Sequence, residues 1–124
     1  MRMVRSAFLG TLALTLLPLA AWADLALVMV EQPGCVYCKA WDEQVSAIYP
    51  RTDEGKAAPL TRIQLRAALP QGMQFDRPAA FTPTFVLLRD GIEVGRIEGY
   101  PGEDFFWGLL GQMIAAQQAG VASE

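Results

Sequence analysis

The chain has two cysteines, Cys35 and Cys38, and no histidine. They stand where a short apolar run ends and a helical pattern begins, and this placement constrains the fold more than any other feature. Residues 25–30 (LALVMV) are continuously apolar, and their short length and valine content favour a buried strand. Pro33-Gly34 ends the run. From 35 to about 49, Trp41, Val45 and Ile48 recur at helical spacing, and Pro50 closes the helix.

Beyond it, residues 53–58 are small and polar, enough for one helical turn before Pro59. Residues 60–65 set Leu60, Arg62 and Gln64 against Thr61, Ile63 and Leu65, an alternation that suits a strand. Pro70, Gly72 and Pro78 make 66–80 a loop with at most a short helix. Thr84–Arg89 and Ile92–Glu98 flank Asp90-Gly91, a pair suited to a type I′ hairpin because both central positions need positive φ. After the turn 99–102, Glu103 and Asp104 favour the positive end of a helix dipole. Phe105, Phe106, Leu109, Leu110, Met113 and Ile114 then form a one-sided apolar stripe, which predicts an amphipathic helix from 103 to about 118. The order predicts an α/β fold. A βαβ unit, a reduced connection, a β-hairpin and a C-terminal helix build a mixed four-stranded sheet flanked by helices.

Part of the 52% hydrophobic content lies outside this pattern. Arg2 and Arg5 precede an uncharged stretch from 6 to 23 that is broken by Pro18 and ends in Ala21-Trp22-Ala23. That sequence of basic, apolar and A-x-A segments reads as a secretory signal peptide, residues 1–23, cleaved after Ala23. An uncleaved anchor is the alternative, but the stretch is short for a bilayer and the Pro and Ala-Trp-Ala features suit processing better. The remaining domain, 24–124, has eight basic and 13 acidic residues, a net charge of −5. Such a surface does not suit nucleic acid or anionic lipid. A chain of this length can bury its own core, and its apolar stripes are needed for that core, so a monomer is expected.

Cys35-Val36-Tyr37-Cys38 is a C-x-x-C opening a helix. Residues i and i+3 share a helix face, so the two sulfurs can meet with little rearrangement. Unpaired N–H groups at the helix start favour an anion, which makes Cys35 the expected nucleophile and Cys38, one turn inside, the resolving thiol. A structural disulfide is a weaker reading, because a ring this small contributes little loop entropy. Zinc lacks ligands, haem attachment lacks the histidine (Lys39 follows Cys38), and a Cys–His hydrolase lacks its base. No cofactor beyond the dithiol and no metal is expected. Val36 and Tyr37 give the rim an apolar face suited to a partner's peptide.

A C-x-x-C opening the first helix of a βαβ unit, with Thr82-Pro83 leading into a hairpin and last helix, resembles the thioredoxin superfamily. The resemblance implies a cis Pro83 facing the dithiol, and Gly99 is similar to the family's glycine that lets substrate backbone approach. It carries over Cys35 and Cys38 as the catalytic pair. Gly34, Val36, Tyr37, Thr82, Pro83 and Gly99 become the substrate-binding surface. More narrowly, residues 31–38 (EQPGCVYC), 81–86 (FTPTFV) and 99–107 (GYPGEDFFW) look like the exported thioredoxins of the bacterial sulfur-oxidation (Sox) system. That likeness implies a periplasmic reductase acting on a disulfide or blocked cysteine of a sulfur-carrying protein, recharged by a membrane thiol–disulfide electron transporter.

The chain departs from ordinary thioredoxin in three places. Gly34 stands before Cys35 where the family has tryptophan, the dipeptide is Val-Tyr, and the first strand lacks a buried acidic proton relay. Glu31 is near enough in sequence to substitute, but reads more simply as an exposed loop carboxylate, and Lys39 as a solvated helix lysine. A disulfide oxidase or isomerase, and a regulatory module using the dithiol as a clasp, are the alternative functions. Val-Tyr offers little to stabilise a strongly oxidising reduced form, and the chain has no room for a dimerisation domain, which favours the reductase.

Overall fold

The computed structural model describes residues 12–15 and 25–122. Apart from 12–15, the segment read as a signal peptide and its cleavage site lie outside them. Four strands form one sheet in the order β2-β1-β3-β4: β1 Leu25–Glu31, β2 Leu60–Gln64, β3 Thr84–Arg89 and β4 Ile92–Glu98. β1 pairs parallel with β2, with Met29 opposite Arg62, and antiparallel with β3, with Val30 opposite Thr84. β3 and β4 form the hairpin, with Asp90 (φ 51°) and Gly91 (φ 86°) both in the left-handed region that its turn requires.

β1 is covered on both faces, which is why it reads as an unbroken apolar run. On one face Leu27, Met29, Phe85 and Leu87 pack under Trp41, Val45, Tyr49, Phe106 and Leu110 from the helices. On the other, Val28, Val30, Val86 and Leu88 are covered by the connection 66–80 through Met73, Phe75 and Ala79. That connection has no helix. Backbone bonds tie it to β4, Gln74 N–H to Gly91 O and Glu93 N–H to Gln74 O. The buried Glu93 carboxylate also accepts from Asp76 N–H, and Arg96 donates to Arg77 O.

The helix expected from 35 to about 49 is not uniform. It runs as α-helix α1 over Val36–Trp41, as a π-helical segment over Asp42–Ser46, and as a 3₁₀ turn over Tyr49–Arg51. The wider i→i+5 winding inserts an extra residue into the turn. The buried face therefore runs through Trp41, Val45 and Tyr49, all at most 1% exposed, while Ile48 is 43% exposed. Ile48 is thus not a core residue, and Tyr49 takes its place. The Tyr49 hydroxyl donates to Ala58 O, and burial, with the charge of Glu54, pushes its pKa up. α2 (Asp53–Ala57) follows, capped by Thr52 Oγ1 accepting from Gly55 N–H.

The last helix, α3, spans Glu103–Ala122, longer than the pattern predicts. Its buried stripe is also narrower than expected. Phe106, Leu110 and Ile114 are buried and Met113 is half-buried, but Phe105 and Leu109 face solvent. Met113 and Trp107 pack against the edge of the main core beside the three buried residues. Trp107, beside the stripe, stacks on Tyr49 with ring centroids 5.9 Å apart.

Candidate active site

The turn after β1 delivers the two cysteines. Cys35 N–H donates to Gln32 O, Gly34 takes φ +78°, and Cys35 becomes the N-cap of α1 in an extended conformation. A Cβ at Gly34 would meet open space, so glycine is required there by the backbone angle rather than by crowding. The Cys35 Sγ accepts from Cys38 N–H at 3.1 Å, an interaction that a side-chain oxygen makes at an ordinary N-cap. The cysteines are joined as a disulfide with Cα atoms 5.2 Å apart. Cys38 is 5% exposed and packs into the main core, whereas Cys35 is half-buried at the surface.

Around the disulfide lies a cleft of about 530 Å³, whose walls include Gly34, Cys35, Val36 and Cys38 together with Glu31, Gln32, Lys39, Asp42 and Gln64. Val36 (74% exposed) and Tyr37 (63%) project from the first turn of α1 and form an apolar rim. The segment entering β3 is tied to the turn before Cys35 without being among the residues that line the cleft. Thr82–Pro83 is a cis peptide, Pro83 is buried, and Pro83 O accepts from Gly99 N–H at 2.7 Å. Gly99 has φ +86° and open space where a Cβ would stand. Gln32 Nε2 donates to Thr82 Oγ1 at 2.9 Å, which links this segment to the turn that carries Cys35. The structure thus gathers Gly34, Cys35, Val36 and Cys38 on one cleft and connects Thr82, Pro83 and Gly99 to it. Tyr37 stands on the rim.

Sequence reasoning missed Gln32, Asp42 and Arg62, and misplaced Glu31. Glu31 is the last residue of β1, not a loop carboxylate, and its side chain is 22% exposed. Arg62, on neighbouring β2, donates to Glu31 Oε2 at 2.7 Å, to Asp42 Oδ1 at 2.6 Å and to Ser46 Oγ at 3.0 Å. Its guanidinium also lies 5.4 Å from the centroid of the Trp41 ring. Burial alone would lower the Arg62 pKa, but the bonds to Asp42 and Glu31 and their charges outweigh it and raise the value. The alternation of 60–65 places Arg62 on one face of a strand, but only the register of β1 and β2 names its partners. Lys39 is exposed and reaches Glu43 at 3.9 Å. Among the described residues there is no group of three or more Cys, Asp or Glu side chains that could hold a metal ion.

A half-buried sulfur at a helix start, a buried one a turn later and a cis-proline segment hydrogen-bonded to the turn before them form a recognisable constellation. The sequence matches the thioredoxin-like domain over residues 21–114. The chain belongs to the thioredoxin-like family. It is similar in structure to the periplasmic thioredoxin SoxS from Paracoccus pantotrophus in its reduced form, with 55% sequence identity and a TM-score of 0.74. The match covers 77% of this chain and 99% of that one. No curated protein matches the chain. The fold, the disulfide-forming Cys35–Cys38 pair and the likeness to that thioredoxin together support thiol–disulfide oxidoreductase activity. Among the described residues, no helix is long and apolar enough to cross a membrane.

Proposed function

We propose that this protein is a periplasmic reductase of protein disulfides, exported by a signal peptide over residues 1–23 and acting as a monomer. The observation that carries the reading is the asymmetry of the two sulfurs. Cys35 Sγ is at the surface with a backbone N–H already directed at it, and Cys38 is held in the core one turn away. In the reduced protein that N–H stabilises a Cys35 thiolate. The thiolate attacks one sulfur of the partner's disulfide, an S–S bond forms between Cys35 and the partner, and the partner's other sulfur leaves and takes a proton. Cys38 then loses its proton and attacks Cys35 Sγ. The Cys35–Cys38 disulfide forms, and the partner's second thiol is released with the two electrons that the dithiol held. A membrane thiol–disulfide transporter is the source of the electrons that restore the dithiol.

In this reading Gly34, Val36 and Tyr37 receive one side of the partner's chain, and Thr82, Pro83 and Gly99 the other. The positive φ and open space at Gly34 and Gly99 leave room for backbone to approach. The likeness to the periplasmic thioredoxin SoxS favours, as partner, the sulfur-carrying protein of a sulfur-oxidation system with its reactive cysteine blocked.

Titration of the dithiol against dithiothreitol or glutathione tests the direction. A potential near that of thioredoxin, about −270 mV, is expected, and one near the strong periplasmic oxidants, about −120 mV, would reverse the assignment. Cys35→Ser is expected to abolish insulin reduction; full activity in that variant would remove the enzyme. Cys38→Ala is expected to trap the partner as a mixed disulfide on Cys35.

A further inference from the structure

Two carboxylates, Glu31 and Asp42, line the same cleft as Cys35 and Cys38. Left alone, each would oppose a thiolate there, because like charges in a partly desolvated cleft raise the cost of ionising a thiol. Neither is left alone. One guanidinium, Arg62, reaches Glu31 and Asp42 at 2.7 and 2.6 Å. It is held in turn by Ser46 and by the face of Trp41. Asp42 and Ser46, at the two ends of the π-helical segment, both bond to it.

We propose that Arg62 is an electrostatic positioning residue for the thiol chemistry: by neutralising and holding Glu31 and Asp42, it keeps the Cys35 thiol acidic. The other charges bear little on the cleft. Lys39 lines it but is 78% exposed and is drawn towards Glu43, also exposed, and the cis-proline segment, Phe81-Thr82-Pro83, carries no charge. Met29, paired with Arg62 across the sheet, brings none either. Arg62, a residue of β2 that does not itself line the cleft, therefore adds to what the Cys38 N–H supplies in keeping Cys35 acidic.

The inference rests on the proposed function only in taking Cys35 as the nucleophile, and mapping the alkylated cysteine by mass spectrometry tests that point separately. The experiment follows the ultraviolet thiolate absorbance and the iodoacetamide rate of the fully reduced protein against pH. Arg62→Met is expected to move the midpoint to higher pH and to slow alkylation at a fixed pH below it by roughly three- to tenfold. Arg62→Lys, which keeps the charge, is expected to recover most of that loss. Glu31→Gln is expected to move the midpoint the opposite way and quicken alkylation. A purely structural role would not give opposite signs for the two partners. An unchanged midpoint in folded Arg62→Met, or a Glu31→Gln shift in the same direction as Arg62→Met, would overturn the proposal. If Arg62→Met does not fold, the Glu31→Gln arm decides alone: an unchanged or raised midpoint would overturn it. Alkylation at Cys38 instead of Cys35 would instead remove the proposed function.

Discussion

Gln32 and Thr82, fifty residues apart, are joined by an amide-to-hydroxyl hydrogen bond of 2.9 Å. One lines the disulfide cleft and the other precedes Pro83, so this contact ties the cis-proline segment to the cleft. The bond is exposed, and its removal is expected to cost stability no more than about 1 kcal/mol. Its effect is on substrate. Gln32→Ala should raise KM for a protein disulfide several-fold and leave the rate with a small aromatic disulfide nearly unchanged. Equal losses on both substrates would show that the bond serves the thiol chemistry and not the docking surface.

Adjacent phenylalanines in α3 have opposite fates. Phe106 is fully buried, with its ring centroid 4.9 Å from Phe85 and 5.8 Å from Trp41, whereas Phe105 is 69% exposed. Phe106→Ala is expected to destabilise the domain by about 3–5 kcal/mol. Phe105→Ala should stay within about 0.5 kcal/mol of the parent. Urea unfolding of the two variants checks both values.

At Gly55 the constraint is crowding. A Cβ there would fall 1.8 Å from Tyr49 O, a backbone atom in the turn that also caps α2 through Thr52. Gly55→Ala, helpful in most helices, should here cost roughly 2–4 kcal/mol as the two turns are forced apart. A melting temperature equal to or above the parent's would show that the turns separate freely.

The pair Glu93–Arg96 predicts a dependence on acid. Burial alone would raise the Glu93 pKa. The hydrogen bonds from Arg96 and Asp76 N–H, with the charges of Arg96 and Arg77, outweigh it and hold the group below its ordinary value of 4.5. Between the folded and unfolded values the unfolded chain binds the extra proton. The contribution is therefore complete above about pH 4.5 and is lost as pH falls through the folded value. Glu93→Gln should lose about 1–3 kcal/mol at neutral pH. Its difference from the parent should shrink below pH 4.5. A constant difference across the acid range would assign the effect to packing instead of charge.

Much of this molecule is legible in local chemistry. The strand before Cys35, the hairpin at Asp90-Gly91 and the two strands around it depend on turn geometry and on apolar runs, which are properties of neighbouring residues. So does the C-x-x-C, whose spacing puts both sulfurs on one helix face. What stayed hidden are pairings between distant segments. Nothing near Ile48 marks it as exposed, because the π-helical step that displaces it in favour of Tyr49 is a small change in winding. Nothing in the apolar stripe of the last helix separates Phe105 from Phe106, since only the way the helix is docked on the core decides which of two adjacent residues faces it.

The sequence by itself determined the order of elements, the buried central strand and the dithiol at a helix start, because each follows from periodicity, turn residues and spacing. Only the tertiary structure decided that Gln32 meets Thr82, and that Arg62 clamps Glu31 and Asp42. The physical reason is register: these contacts depend on which residue of one strand or turn faces which residue of another, and a one-residue shift turns a side chain to the opposite face of the sheet.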